Sequence, residues 1–145
     1  MHKPHVTVAA VVQHQDKYLF VLEKDKTTNQ RVINQPAGHL EQNETLIEAC
    51  QRELLEETGL HLQPESFIGT YRYRAPNGID YLRFCFYFQV DTLDHPLAPQ
   101  DSDIEQALWL TKNEFHHHTL RSPLVLQCLT DSEQRPRMSL EYICG

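Results

Sequence analysis

The chain contains the segment GHLEQNETLIEACQRELLEETGL at residues 38–60, a glycine-led loop followed by a helix-length stretch and a second glycine. Asn43 can accept a backbone N–H as an N-cap residue, and Glu44 suits the positive end of a helix dipole. Gly59 favours the left-handed conformation that ends many helices. Local chemistry therefore predicts a loop, a helix and a second loop.

The predicted helix is amphipathic. Its apolar residues recur at helical spacing and are expected to face a core: Leu46, Ile47, Cys50 and Leu54. At about 100° per residue, Glu57 falls almost in line with Cys50. This carboxylate is therefore predicted to lean towards the apolar side of the helix.

Three carboxylates, Glu53, Glu56 and Glu57, lie within one helical turn. Two such charges about 5.5 Å apart repel by about 3 kcal/mol at an effective dielectric constant of 20. Arg52 could pair with Glu48 or Glu56, but an exposed helical ion pair contributes only about 0.2–0.5 kcal/mol. The cluster therefore predicts a hard divalent cation, Mg²⁺ first, with oxygen ligands.

A solvated acidic helix face is the alternative interpretation of this cluster. Three features disfavour it: the lean of Glu57, the two bracketing glycines, and the unusual loop Gln35-Pro36-Ala37-Gly38 that precedes the helix.

The spacing of nine positions across these 23 residues resembles the Nudix hydrolase signature without a gap. The pattern is Gly, five residues, Glu, seven residues, Arg-Glu, an apolar residue, any residue, Glu-Glu, any residue, Gly and an apolar residue. The resemblance implies an α/β/α sandwich with a mixed β-sheet and a catalytic loop–helix–loop. It also implies hydrolysis of a phosphoanhydride with Mg²⁺, or Mn²⁺ as the alternative ion.

The resemblance also implies roles for the residues of this segment, called the box below. The implied metal ligands are the carboxylates of Glu53, Glu56 and Glu57 and the backbone carbonyl of Ala37. Glu53 is also a candidate general base; the alternative is that it is only a ligand and that the base lies on a later loop. Arg52 is expected to orient a box carboxylate.

Gly38, Glu44 and Gly59 are expected to be structural. Glu44 precedes Glu53 by nine residues, about 13 Å along a helix axis, so it cannot easily share an ion with Glu57. It is interpreted as support for the start of the helix.

Three residues outside the box are candidates for substrate binding. Arg83 lies on the polar side of a predicted strand, as a phosphate ligand or as one half of a cross-strand salt bridge. Asp101 and Asp103, with Glu105, could supply a further carboxylate near the metal, or the base, or could form an acidic surface loop.

Further contacts to substrate are less specific. Arg72 and Arg74 alternate with Tyr71 and Tyr73, and one pair could face a heterocycle, although aromatic residues of strands more often pack in a core. His39 lies beside the predicted metal loop and is a candidate substrate contact.

Short segments elsewhere are similar to one bacterial subgroup of the family: residues 4–9, 34–41, 82–84, 101–104 and 120–125. The subgroup acts on nucleoside tri- and diphosphates and on pyrophosphorylated thiamine precursors, so a small phosphorylated substrate is expected. Cleavage of another nucleoside diphosphate derivative, such as ADP-ribose, and a nucleotide-binding module without hydrolysis remain the alternatives.

Length and charge limit the classes of function. A chain of 145 residues predicts a single domain over residues 1–145, and a net charge of −7 argues against nonspecific binding to nucleic acid or to an anionic membrane. The four cysteines show no zinc-site or C-x-x-C spacing and predict reduced thiols in a cytoplasmic protein. The apolar run at residues 6–12 is too short for a signal peptide or membrane span. Residue spacing does not determine an oligomeric state.

Hydrophobic periodicity predicts strands and helices around the box. Strands are expected at residues 6–12, 18–22, 31–33, 67–74, 79–90 and 106–110, with short helices near residues 112–116 and from Pro123, capped by Ser122. In the strand at 79–90 one face is expected in the core and the other is expected to be half polar. The mixed order of strands with two main helices predicts the same α/β/α sandwich.

Overall fold

The computed structural model describes residues Met1–Gly145, which form seven strands and three helices. The strands are β1 (His5–His14), β2 (Lys17–Lys24), β3 (Arg31–Asn34), β4 (Ala37–His39), β5 (Ser66–Arg74), β6 (Asp80–Gln89) and β7 (Ile104–Thr111). The helices are α1 (Leu46–Thr58), α2 (Lys112–Phe115) and α3 (Pro123–Gln134), followed by a short 3₁₀ turn at Leu140–Tyr142. None of the helices has the length and apolar character needed to cross a membrane.

The strands form one mixed sheet in the order β3-β2-β1-β6-β5, with β4 paired to β1 and β7 paired to β2. Strands β1 and β6 run parallel at the centre, and the remaining pairs are antiparallel. Two buried clusters cover its two faces, because successive side chains of a strand point to opposite sides. Val8, Ala10 and Val12 of β1 pack with α1, whereas Ala9 and Val11 pack with α3. The expected α/β/α sandwich is confirmed.

Helix α1 begins two residues later than the predicted N-cap at Asn43 implies. Thr45 is the N-cap and forms a capping box with Glu48: the Glu48 N–H donates to Thr45 Oγ1 at 3.1 Å, and the Thr45 N–H donates to Glu48 Oε1 at 2.8 Å. Asn43 instead takes a left-handed conformation with φ of 68°. The T-x-x-E pair satisfies two helix-end groups at once, which a single asparagine cannot do.

The C-terminal end of α1 and the start of α3 follow the sequence prediction. Gly59 has φ of 82°, and its N–H donates to the Leu55 carbonyl at 2.8 Å. Ser122 caps α3, and Pro123 occupies its first turn. Cys50 and Leu54 are fully buried, with Leu46 and Ile47 packed at the edge of the same cluster, as their spacing predicts.

The second face of β6 is half polar, as predicted, but it is buried rather than open to solvent. Arg83, Cys85 and Tyr87 are buried there, because α3 covers this face of the sheet. The alternation along the strand was read correctly, but it could not reveal that a helix from the end of the chain lies over it.

The strand β4 was missed by periodicity because it has only three residues. It pairs with β1 through Ala9↔Ala37 and Thr7↔His39, and the Pro36 carbonyl accepts the Ala10 N–H at 2.9 Å. This pairing fixes the loop before α1 against the central strand of the sheet.

Candidate active site

Glu57 lies in the last turn of α1 with only 6% of its surface exposed. Its Oε1 accepts the Ala37 N–H at 2.9 Å, which joins α1 to β4. Burial raises the pKa of Glu57 to about 9; the hydrogen bond from Ala37 opposes this rise, and the charge of Glu53 adds to it. The expected lean of Glu57 towards the core is confirmed, and its carboxyl group is held where the ionised form is costly.

Arg52 binds the other two box carboxylates. Its Nη1 donates to Glu53 Oε1 at 2.7 Å and to Glu56 Oε2 at 3.4 Å. Burial raises the pKa of Glu53, and the neighbouring Arg52 partly offsets this effect. Glu56 is more open to solvent, with 43% of its side chain exposed.

Glu44 is the main partner of Arg52. Two parallel hydrogen bonds join them, Nη2 to Oε1 at 2.8 Å and Nε to Oε2 at 2.9 Å, and Nη2 also donates to the His39 carbonyl at 3.0 Å. Arg52 lowers the pKa of Glu44 through these bonds. Of the two partners expected for Arg52, Glu56 is in contact at 3.4 Å and Glu48 is not, because Glu48 serves the capping box. Glu44 lies before the helix, and its side chain turns back to bind Arg52. The predicted distance of about 13 Å assumed that Glu44 belonged to the helix, so it could not show this contact.

Gly38 is required for space rather than for backbone conformation. A Cβ added at this position would collide with the carboxylate of Glu53. The backbone of β4 and this carboxylate are therefore as close as a glycine permits.

The carboxylate oxygens of the box are the kind of ligand that a hard cation prefers. Glu53, Glu56 and Glu57 supply only oxygen, and two of them are held in surroundings that raise their pKa. A bound cation would favour their ionised forms. In the present arrangement no three carboxylate, imidazole or thiol groups converge as a ready metal cluster. Arg52 Nη1 instead bridges Glu53 and Glu56, with a hydrogen bond to each.

A cavity of about 470 Å³ opens beside the box. Ala37 and Gly38 form the part of its lining that adjoins α1, so the cavity and the carboxylates meet at β4. Arg83, Asn34 and Thr7 also line it. Tyr73, the adjoining hairpin turn at residues 75–77 and the start of α3 line it as well.

Arg83 is a buried cation with no acidic partner. It is 6% exposed, its Nη1 donates to Gln35 Oε1 at 3.1 Å and its Nη2 to Asn34 Oδ1 at 3.3 Å. Its Nε is buried without a hydrogen-bond partner. The alternative of a cross-strand salt bridge is therefore wrong. Because a buried charge without a counter-ion costs several kcal/mol, this position is suited to an anionic ligand.

Glu23 and Arg121 also line the cavity and were not identified from the sequence. Arg121 Nη1 donates to Glu23 Oε1 at 2.8 Å, and burial raises the pKa of Glu23. Arg121 lies in the segment 120–125 whose resemblance to the subgroup was noted, but no role could be assigned without a partner.

Asp101 and Asp103 do not line the cavity. Asp101 accepts the Asp103 N–H at 2.9 Å, and the Asp101 N–H donates to the Glu56 carbonyl at 3.0 Å. Asp103 lies 3.5 Å from Lys26 at the surface, and Glu105 pairs with Arg31 at 2.8 Å. The structure thus places Asp101 beside the end of α1, where its charge adds to the raised pKa of Glu57, and its role as a further carboxylate near the metal stays a prediction.

Aromatic residues form part of the cavity wall. Tyr73 and Tyr81 are cross-strand partners on β5 and β6, and both line the cavity with His39. Tyr71 lies two residues earlier on the same face of β5, but it is buried against α3, where its hydroxyl donates to Asp131 Oδ2 at 2.8 Å. Arg72 is held by Asp80, with Nε to Oδ1 at 3.0 Å. Of the two tyrosines noted in the sequence, Tyr73 is the one placed for contact with a ligand.

Comparison with known proteins agrees with this geometry. Residues 1–127 match the NUDIX domain, and the chain belongs to the Nudix hydrolase family. Over 145 residues it is 43% identical to phosphatase NudJ of Escherichia coli K12, covering 99% of this chain and 92% of that protein. Phosphatase NudJ of Shigella flexneri shows the same identity and coverage.

Solved structures show the same fold. A NUDIX hydrolase from Nitrosomonas europaea superposes with a TM-score of 0.87 at 42% identity, covering 99% of this chain and 97% of that one. The NUDIX domain of Shewanella oneidensis NrtR, solved with ADP ribose, gives a TM-score of 0.79 at 18% identity, covering 93% and 90%. The second likeness shows the fold alone.

Proposed function

We propose that the protein is a Mg²⁺-dependent phosphohydrolase that releases phosphate from nucleoside tri- and diphosphates or from pyrophosphorylated thiamine precursors. The observation that carries this proposal is the continuity between two parts of the site. A cluster of acidic oxygens on α1 adjoins, through Ala37 and Gly38, a cavity that contains the unpaired cation Arg83. Similarity to phosphatase NudJ supports the same substrate class.

The proposed metal ligands are Glu53, Glu56, Glu57 and the carbonyl oxygen of Ala37. Mg²⁺ is the first choice of ion, and Mn²⁺ is the alternative. When bound, such an ion supplies charge stabilisation to phosphoryl oxygens and lowers the pKa of water.

The remaining work falls to side chains of this chain. Arg83 is the proposed ligand for a phosphate oxygen of the substrate, through the second N–H of Nη2, whose first N–H is donated to Asn34. Arg52 fixes the orientation of Glu53, and Glu44 in turn fixes Arg52. Glu53 is also the proposed general base, with a base on a later loop as the alternative; its carboxylate is held in place by the hydrogen bond from Arg52.

The organic part of the substrate is proposed to lie against the aromatic wall. Tyr73, Tyr81 and His39 line the cavity, and aromatic side chains suit a heterocycle. Small phosphorylated molecules are the proposed partners, and neither nucleic acid nor membrane is expected.

We further propose that residues 1–145 act as one domain. The part beyond residue 127 packs on the rest: Met138 pairs with Phe67, and the Leu46 N–H at the start of α1 donates to the Gly145 carbonyl at 3.2 Å. The four free cysteines, three of them buried, support a reducing compartment and hence the cytoplasm.

The test is product analysis with Mg²⁺ on five substrate types: nucleoside triphosphates, nucleoside diphosphates, hydroxymethylpyrimidine pyrophosphate, thiamine pyrophosphate and ADP-ribose. Orthophosphate is expected directly from the first four. Inorganic pyrophosphate as the product, or activity on ADP-ribose alone, would overturn the substrate class. Saturable binding without any product would identify a nucleotide-binding module instead.

A matched pair of variants tests the site itself. Glu57→Gln removes a proposed ligand, whereas Glu65→Gln removes an exposed carboxylate outside the site, 4.0 Å from Arg137. Turnover is expected to be lost in the first variant and unchanged in the second. Normal turnover by Glu57→Gln would refute the metal assignment.

A further inference from the structure

We propose that Arg83 and Arg121 form a two-arginine clamp for one phosphate group of the substrate, and that Glu23 is the positioning residue for Arg121. This inference rests on the function proposed above, since it concerns the same cavity. It assigns a binding role to Arg121 and a positioning role to Glu23.

A single short segment holds both arginines. Asn34 and Gln35 accept hydrogen bonds from Arg83, at 3.3 and 3.1 Å. The neighbouring Ile33 exchanges backbone hydrogen bonds with the segment that carries Arg121: the Arg121 N–H donates to the Ile33 carbonyl, and the Ile33 N–H donates to the Thr119 carbonyl, both at 2.9 Å. Residues 33–35 therefore hold both Arg83 and the segment that carries Arg121, and both arginines line the same cavity.

Both arginines keep donors for an anion. Arg83 has no carboxylate within ion-pair distance, and its Nη2 donates one of its two N–H groups, to Asn34, so that one N–H remains for a ligand in the cavity that Arg83 lines. Arg121 uses only Nη1, for Glu23, and is 43% exposed on the side chain, so Nε and Nη2 remain free. Two guanidinium groups at a common cavity match the several oxygens of a phosphate group.

Glu23 explains how an exposed arginine keeps one orientation. Its carboxylate is only 16% exposed and lies on β2 inside the sheet, so it is a fixed anchor for the flexible Arg121 side chain. The negative charge of Glu23 partly cancels the positive charge that Arg121 presents to a phosphate group. The alternative is a purely structural tie between β2 and the start of α3, which would affect stability and leave ligand affinity unchanged.

The experiment is calorimetric titration of methylenebisphosphonate with Mg²⁺ present, because its P–C–P bridge cannot be hydrolysed. Arg121→Gln is expected to weaken binding by about 10- to 100-fold, the range for a lost charged hydrogen bond. Glu23→Gln is expected to weaken it by less, and Glu23→Asp to restore part of the loss. The double variant Glu23→Gln/Arg121→Gln is expected to bind no worse than Arg121→Gln alone, since Glu23 acts through Arg121.

Arg31→Gln is the matched control. Arg31 also pairs with a glutamate at 2.8 Å, through Glu105, but does not line the cavity. The Arg31→Gln variant is expected to bind methylenebisphosphonate as tightly as the unsubstituted protein does. Thermal unfolding of each variant separates loss of fold from loss of binding.

Several outcomes would overturn the clamp. Arg121→Gln could bind as tightly as the unsubstituted protein while unfolding at lower temperature, which would leave only the structural tie. Glu23→Gln could lose kcat with affinity unchanged, which would place Glu23 in the chemistry itself. Absence of binding by the unsubstituted protein would also refute it. Tight binding that depends on Arg121, together with no hydrolysis of any substrate, would uphold the clamp and reject the hydrolase.

Discussion

Replacing Glu57 with glutamine should stabilise the metal-free protein at pH 8 and destabilise it at pH 5. Burial raises the pKa of Glu57 from its ordinary value of 4.5 to about 9. At pH 8 the folded protein keeps this proton, whereas the unfolded chain has lost it. Each pH unit above 4.5 therefore lowers the free energy of unfolding by about 1.4 kcal/mol. The total loss is about 5 kcal/mol at pH 8 and under about 1 kcal/mol at pH 5.

Glutamine removes this cost but adds a smaller one. Its amide oxygen can still accept the Ala37 N–H, which Glu57 Oε1 now accepts at 2.9 Å. Its NH₂ group replaces the other carboxylate oxygen and, if left without a partner, costs about 1–3 kcal/mol. The net change is therefore a gain of about 2–4 kcal/mol at pH 8 and a loss of about 0–2 kcal/mol at pH 5.

The sign of the pH dependence follows from proton binding. Between pH 4.5 and about 9 the folded protein binds more protons at Glu57 than the unfolded chain does, so this residue makes stability fall as the pH rises. Urea unfolding in EDTA at the two pH values measures the effect. Glu56→Gln, on the same helix with a side chain 43% exposed, is the control and should show no change of sign. An equal effect of Glu57→Gln at both pH values would refute the reasoning.

Three further predictions concern the same site. Gly38→Ala should lower turnover by about a hundredfold, because the new methyl group displaces the Glu53 carboxylate, while unfolding in urea changes by less than about 1 kcal/mol. Arg52→Lys keeps a positive charge but cannot bind Glu44 through two parallel bonds, so kcat should fall by about 10- to 100-fold. Mg²⁺ should bind more tightly at pH 8 than at pH 6, by up to about tenfold per pH unit, because Glu57 must release its proton; calorimetry in buffers of different ionisation enthalpy measures that proton.

Each of these predictions has a result that would contradict it. Unchanged turnover in Gly38→Ala would show that the position of Glu53 is not critical. Full activity of Arg52→Lys would show that charge alone is sufficient at this position. Binding of Mg²⁺ without proton release between pH 6 and 8 would mean that Glu57 is not a ligand.

The sequence predicted the features that depend on near neighbours. Gly59 ends α1 and Ser122 starts α3 because those positions are decided within a few residues. The capping box of Thr45 and Glu48 was also present in the sequence, but Asn43 competed with it, and only the structure shows which residue starts the helix. The position of Glu57 near the core followed from helical periodicity.

The charge partners could not be predicted in this way. Arg52 binds Glu44 across the loop before α1, and Arg121 binds Glu23 although 98 residues separate them. Arg83 was expected on the polar face of its strand, and the structure shows that this face is buried beneath α3. Side-chain spacing within one element contains no information about which element will cover it.

The sequence by itself therefore determined the carboxylate cluster, the helix that carries it and the family to which the chain belongs. Only the tertiary structure decided where the cations lie and which of them lack a counter-ion. The physical reason is the distance along the chain over which each interaction acts. Helix periodicity and capping act over three or four residues, whereas burial of Arg83 and the pairing of Arg121 depend on strands and helices brought together from distant parts of the chain.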